Sequence, residues 1–134
     1  MKGFVVCSHG DLALGMENTL HMFFGDNIEQ IAFLSLATDE EVDDYYDRLE
    51  KKCIEVDTGD GVIIFTDMFG GTPNNCAMKL LDKYDVISGY NMPMLMTFLT
   101  KRHDVVNIKE ILEECRESLI YVNSLNRNIE EDEF

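Results

Sequence analysis

The sequence predicts an α/β domain: a doubly wound, four-stranded parallel sheet in the order 2-1-3-4, with helices on both faces. Three observations predict it. Short apolar, β-branched runs alternate four times with stretches of helical period, and the connections are short. The run "GVIIFT" (61–66) is apolar throughout rather than alternately, as a strand buried on both faces must be. The chain has 134 residues, 46% of them hydrophobic, with no internal repeat and no linker, which suits one domain over 1–134.

The elements follow in order. Phe4-Val5-Val6-Cys7, bounded by Gly3 and Gly10, predicts the first strand. Ala13, Met16, Leu20 and Phe23 recur at helical spacing, and Gly25 is a natural stop. "IAFLSL" (31–36) predicts the second strand. Thr38-Asp39-Glu40-Glu41 has the form of a capping box, with Thr38 as cap and Glu41 reaching back, ahead of a face of Val42, Tyr46, Leu49 and Cys53. The third strand is "GVIIFT". Thr72-Pro73 then predicts a cap followed by proline at the first helical position, with Ala77, Leu80 and Leu81 continuing the helix. "YDVISGY" (84–90) predicts the fourth strand. Asn91-Met92-Pro93 opens a short helix through Leu99, and Asn107 caps another whose inward face is Ile108, Ile111, Leu112 and Cys115. "SLIYV" (118–122) predicts a last strand, and the acidic tail 126–134 has little reason to fold.

Charge and cysteine content exclude several functions. A formal net charge of -15 opposes binding to nucleic acid or anionic membranes, so protein partners are expected to present basic faces. The four cysteines (Cys7, Cys53, Cys76, Cys115) form no C-x-x-C pair and no metal-ligand spacing, and they read as reduced thiols, mostly in the core. The opening apolar run is too short for a signal peptide, and no stretch approaches the ~20 apolar residues of a membrane helix. A cytoplasmic location is expected.

Ligands of a doubly wound sheet bind beyond the carboxyl ends of its strands, where the strand order reverses. His9 ends the first strand, while Asp67 and "MFGGTPNN" follow the third; in the order 2-1-3-4 these segments meet. A neutral imidazole has a usable lone pair if its other nitrogen keeps the proton, and a carboxylate such as Asp67 can hold that N–H. Gly70-Gly71 lets backbone approach a ligand, and the helix starts after Gly71 and after His9 offer free N–H groups to an anion. Nucleophile, orienting carboxylate and anion cradle are the parts needed to accept a phosphoryl group. Each also has a plain structural role: a packed loop histidine, a turn-capping aspartate, a tight Gly-Gly turn. His21, inside an amphipathic helix, and His103, in the polar "TKRHD", have no convergent partner. The methionines Met92, Met94 and Met96 read as packing.

The strand ending in "SHG", the segment "TDMFGGTPNN" and "SGYNMPML", taken in order, resemble the IIA component of the mannose/fructose/sorbose class of the bacterial sugar phosphotransferase system, nearly end to end. The resemblance implies a phosphotransferase: a phosphoryl carrier with His9 as the phosphorylated residue, Asp67 as its pairing carboxylate, and Gly10, Gly70, Gly71 and Thr72 around the phosphate. It implies no metal and no cofactor. The donor is the histidine-containing phosphocarrier protein and the acceptor the IIB component, with the membrane IIC and IID components engaged indirectly. It also implies a homodimer that exchanges a C-terminal antiparallel strand, for which "SLIYV" is the counterpart. Since so acidic a chain has to hold a phosphate, the crevice itself is expected to be free of acids apart from Asp67 and Asp11.

Three other readings use the same residues. A receiver-type module would be phosphorylated on Asp67, but needs an acid pair after the first strand, where "CSHG" supplies none. A histidine phosphatase or mutase has arginine where Ser8 stands, and a longer chain. A regulatory module of the same fold would have kept the architecture and lost the transfer.

Overall fold

The computed structural model describes residues 1–104 and 107–125. Strands β1 (Gly3–His9), β2 (Ile31–Leu36), β3 (Val62–Thr66) and β4 (Asp85–Ser88) form one sheet in the order β2-β1-β3-β4. Every neighbouring pair is parallel, so β1 lies inside the sheet, with Cys7 opposite Leu34 on one side and Thr66 on the other. The helices are α1 (Leu12–Phe24), α2 (Val42–Val56), α3 (Gly71–Met78), α4 (Met92–Thr100) and α5 (Ile108–Arg116). The expected fold class and strand order are those observed.

Because side chains alternate across a strand, β1 feeds two cores. Phe4 and Val6 join Ile63, Phe65 and Ile87 under α1, α4 and α5, while Val5 and Cys7 join Leu34, Val62 and Ile64 under α2 and α3. Phe4, Phe65 and Phe98 meet edge to face, with ring centroids 5.3–6.5 Å apart. Met92, Met94 and Met96 pack against the first core, as expected. All four cysteines are free and buried.

Several local expectations are corrected. Residues 38–41 do not form a capping box: Glu41 is extended (φ -70, ψ 145) and α2 begins at Val42 without a side-chain cap. Glu40, not Glu41, turns back, accepting the Ala37 N–H at 3.3 Å and pairing with Arg48 at 2.7 Å. The buried face of α2 is Tyr45, Leu49, Cys53 and Val56; Val42 is exposed and Tyr46 half-buried. Tyr45 is tolerated inside because its hydroxyl donates to the Leu34 carbonyl at 2.8 Å. Phe23, on the expected inner face of α1, is exposed; α3 ends at Met78, so Leu80 and Leu81 do not continue it but lie in the turn that follows, Leu80 buried and Leu81 exposed. Helix α3 starts at Gly71 with Gly70 as its cap, so Thr72 lies within the first turn rather than capping it. The asparagine caps are as expected: Asn91 accepts the Met94 N–H at 2.9 Å and Asn107 the Glu110 N–H at 3.3 Å.

The expected last strand does not form within one chain. Residues 119–121 are irregular, Val122–Ser124 is a single 3-10 turn, and Leu119, Ile120, Tyr121 and Val122 are exposed. A strand needs a neighbour to pair with, and among the described residues this segment has none. The outer edge of β4 is correspondingly open beside a groove of about 520 Å³, lined in part by Val86, Ile87, Met94, Ile108, Leu112 and Leu119. The tail 126–134 lies outside the described residues. Among the described residues, no helix is long and apolar enough to cross a membrane.

Candidate functional site

Parallel pairing sends every strand's carboxyl end to the same side, so His9 and Asp67, which are 58 positions apart in the chain, become neighbours. His9 Nδ1 lies 2.9 Å from Asp67 Oδ2, and the same oxygen accepts the His9 backbone N–H at 2.9 Å. The second oxygen, Oδ1, accepts the Met68 N–H at 3.1 Å. A carboxylate only accepts, which assigns the proton to Nδ1 and leaves the Nε2 lone pair free. The His9 side chain is 43% exposed and that of Asp67 only 10%, so the carboxylate is enclosed while the imidazole faces outward.

Gly71 explains where the free nitrogen points. A Cβ placed on Gly71 would sit 2.7 Å from both Cε1 and Nε2 of His9, closer than any real contact, and its φ is +79. The ring therefore rests on the backbone at the very start of α3. That helix has no side-chain cap, and its third residue, Pro73, has no N–H. The Gly71 and Thr72 N–H groups lie ahead of the first helical hydrogen bond and are open to an anion. Gly70 (φ +90) reverses the chain just before.

On the other side of His9, Gly10 forms the turn into α1, its N–H bonded to the Leu36 carbonyl at 2.9 Å. Asp11 is exposed at the N-cap of α1. This helix start is less free than its sequence implies. Ser8, fully buried, accepts the Ala13 N–H at 2.8 Å and donates to the Gly10 carbonyl at 3.1 Å, so one of the helix's free donors is already taken. His21 and His103 lie elsewhere, in α1 and in a 3-10 turn at the opposite end of the sheet, and neither meets a carboxylate. Among the described residues, no cluster of three or more metal-ligating side chains exists.

Sequence reasoning passed over two parts of this region. One is Ser8, whose signal was present: a serine five residues before the first buried residue of a helix. The other is a buried polar cluster beneath the loop after β3. Thr66 lies 3.1 Å from Asn74 Oδ1 and 2.7 Å from the Ser88 hydroxyl, which in turn reaches Asn74 at 2.5 Å. Their spacing in the sequence gives no hint of contact.

The family model described as "PTS system fructose IIA component" matches residues 3–116. Among curated relatives, the mannose-specific EIIAB component of Escherichia coli K12 is 28% identical over 111 residues, covering 81% of this chain; the match spans only 34% of that longer protein. The fructose-specific EIIA component of Bacillus subtilis is 25% identical over 99% of both chains. Among solved structures, the PTS IIA protein associated with the fucose utilization operon of Streptococcus pneumoniae superposes with a TM-score of 0.84 at 31% identity, covering 91% of this chain and 93% of that one. The chain belongs to the PTS IIA family of the mannose/fructose/sorbose class.

Proposed function

We propose that this chain is a phosphoryl carrier that takes a phosphoryl group onto Nε2 of His9 and passes it to a second protein histidine. The observation that carries the reading is the division of labour within one ring: Nδ1 held by Asp67 at 2.9 Å, Nε2 free over the start of α3. The Nε2 lone pair forms the new N–P bond as the donor's N–P bond breaks, and the departing imidazole keeps that electron pair. The reaction passes through a loose transition state whose charge is spread over three oxygens. As the bond forms, His9 becomes cationic with its proton still on Nδ1, and the Asp67 carboxylate stabilises that charge. Backbone donors at Gly71 and Thr72 face the phosphoryl oxygens, with Gly10 and Gly70 shaping the turns on either side.

The donor in this reading is the histidine-containing phosphocarrier protein and the acceptor the IIB component, which drives sugar uptake through IIC and IID. Such a chain works in the cytoplasm. An apolar rim of Leu12, Met68 and Phe69, the last 79% exposed, supports docking by another protein around His9. A homodimer exchanging residues 118–122 is supported by the open β4 edge, the apolar groove beside it and the exposed Leu119–Val122 segment.

The test is incubation with phosphoenolpyruvate, enzyme I and the phosphocarrier protein, followed by site mapping. An acid-labile, alkali-stable label on His9 is expected, lost in His9→Ala and retained in His21→Ala and His103→Ala. Label on Asp67, or label surviving His9→Ala, overturns the reading. Deleting residues from Ser118 onward is expected to give monomer or aggregate; a full-length chain that sediments as a monomer at micromolar concentration removes the dimer.

A further inference from the structure

Among the described residues, four polar or charged side chains are buried: Ser8, Thr66, Asn74 and Arg102. Ser8 belongs to the start of α1 and Arg102 to the far end of the sheet. Thr66 and Asn74 are 0% and 2% exposed, and neither side chain hydrogen-bonds to His9 or Asp67. Buried polar atoms need a reason, since an apolar group in their place carries no risk of an unmade hydrogen bond.

Their positions in the chain suggest one. Thr66 is the last residue of β3 and stands immediately before Asp67, while Asn74 lies one helical turn after Gly71. The loop between them, 67–70, ends on two exposed apolar side chains, Met68 and Phe69, and makes no side-chain anchor through them. The loop is therefore held at its two feet, whose side chains stand 3.1 Å apart and are joined through Ser88. Ser88, at the end of β4, braces the contact from the side at 2.7 Å and 2.5 Å. The Thr66 carbonyl also accepts the Gly89 N–H at 2.8 Å, which fixes β4 to the same point. Three oxygens share only two hydroxyl protons here, and Asn74 Oδ1 only accepts. The arrangement that satisfies the two shortest contacts is a relay, Thr66 O–H to Ser88 Oγ and Ser88 O–H to Asn74 Oδ1.

We infer that Thr66, Asn74 and Ser88 form a clasp that sets the separation between Asp67 and Gly71, and so fixes the His9 ring in the one orientation that presents Nε2 over the start of α3. His9 is gripped from two directions, by Asp67 at Nδ1 and by Gly71 at Cε1 and Nε2. Both grips hang from the clasp, one residue and three residues away. A shift of α3 by a fraction of an ångström opens room beside the ring and releases Nδ1 from its partner. Reactions that depend on alignment lose about a hundredfold for a 1 Å misplacement. The three are positioning residues for the transfer, and the inference rests on the phosphoryl-carrier reading above.

The test pairs Thr66→Val, which keeps the shape and removes the hydroxyl, with Thr66→Ser, which keeps the hydroxyl. Asn74→Leu combined with Ser88→Ala removes both partners of the Thr66 hydroxyl and so breaks the cluster from its other side. The first readout is independent of transfer: nitrogen-15 NMR of His9, reporting tautomer and the Nδ1–H signal. Wild type is expected to show one tautomer with a slowly exchanging Nδ1–H. Thr66→Val and the double variant are expected to lose that signal and populate both tautomers, and Thr66→Ser to restore it. The second readout is rapid-quench transfer from the phosphorylated carrier, expected to fall about tenfold in its maximal rate with little change in half-saturation. Folded Thr66→Val and double variants with wild-type His9 spectra overturn the clasp. Wild type that takes no label while the spectra change as described overturns the carrier reading and leaves the clasp standing.

Discussion

The two ends of β1 each meet a nitrogen-rich side chain, and the contrast separates chemistry from architecture. At the carboxyl end His9 has one nitrogen held and one free, on a side chain 43% exposed. At the amino end Arg102, 6% exposed, donates to the carbonyls of Glu29 (2.6 Å), Lys2 (2.8 Å) and Gln30 (3.0 Å) and lies 4.6 Å over the Phe4 ring. The Glu29 and Lys2 carbonyls lie where β1 and β2 begin, and Arg102 supplies them a donor; the Gln30 carbonyl also accepts the Phe4 N–H at 3.0 Å. The guanidinium meets no carboxylate, and its burial pushes its pKa downward. A group turned inward onto backbone carbonyls holds the fold; a group with a free lone pair at an open surface is able to react.

The sharpest way to break that comparison is to exchange the phenotypes. His9→Ala is expected to abolish labelling while changing unfolding free energy by less than about 1 kcal/mol, as exposed substitutions do. Arg102→Met is expected to do the reverse, with labelling per folded molecule intact and stability lower by about 2–4 kcal/mol, because the Glu29 and Lys2 carbonyls lose their donor and the Gln30 carbonyl one of two. Urea titrations and label counting on both variants decide it; a labelling defect in folded Arg102→Met would join the two ends.

Asp67→Asn comes next. The amide still reaches the ring, but its NH₂ favours the wrong tautomer and supports imidazolium charge poorly. The same change in a catalytic triad costs about ten-thousand-fold, and a loss of about 10²–10³ is expected for this more open pair. Near-normal rapid-quench transfer in the folded variant would reduce Asp67 to a turn residue. Gly71→Ala is expected to cost transfer about tenfold, since the added methyl displaces the ring and φ +79 disfavours any side chain. A wild-type rate there would mean that α3 moves aside freely.

The smallest effect concerns the core beneath the site. Burial pushes the Cys7 thiol up to about 12. Above the ordinary thiol range near pH 9 the unfolded chain loses this proton and the folded chain keeps it, so the unfolded state binds fewer protons and stability falls as pH rises. Cys7 alone contributes a decline of up to about 1.4 kcal/mol per pH unit between pH 9 and 12. Denaturant curves at pH 8 and 10.5 are expected to show this fall, with a shallower one in Cys7→Ala.

What the sequence made readable was whatever depends on local pattern. The continuous apolar runs of β1 and β3, the asparagine caps and the meeting of His9 with Asp67 all follow from spacing and from the rule for parallel sheets. The misreadings arose where a tertiary partner chose between local options. Tyr45 and Tyr46 fit the helical period equally well, and the Leu34 carbonyl selected Tyr45. Glu40 and Glu41 were both able to turn back, and Arg48 selected Glu40. The Thr66–Asn74–Ser88 cluster is invisible to periodicity because it joins three different elements. "SLIYV" has the composition of a strand, but no strand among the described residues pairs with it.

Asp67 Oδ2 accepts two N–H groups of the same residue, the backbone and the ring of His9. This couples a slow clock to a reactive centre. The backbone amide of His9 exchanges with solvent only when Oδ2 lets go, and β1, flanked by β2 and β3, keeps the rest of the strand closed meanwhile. Deuterium uptake at this single amide therefore reads the grip of Asp67 on the ring.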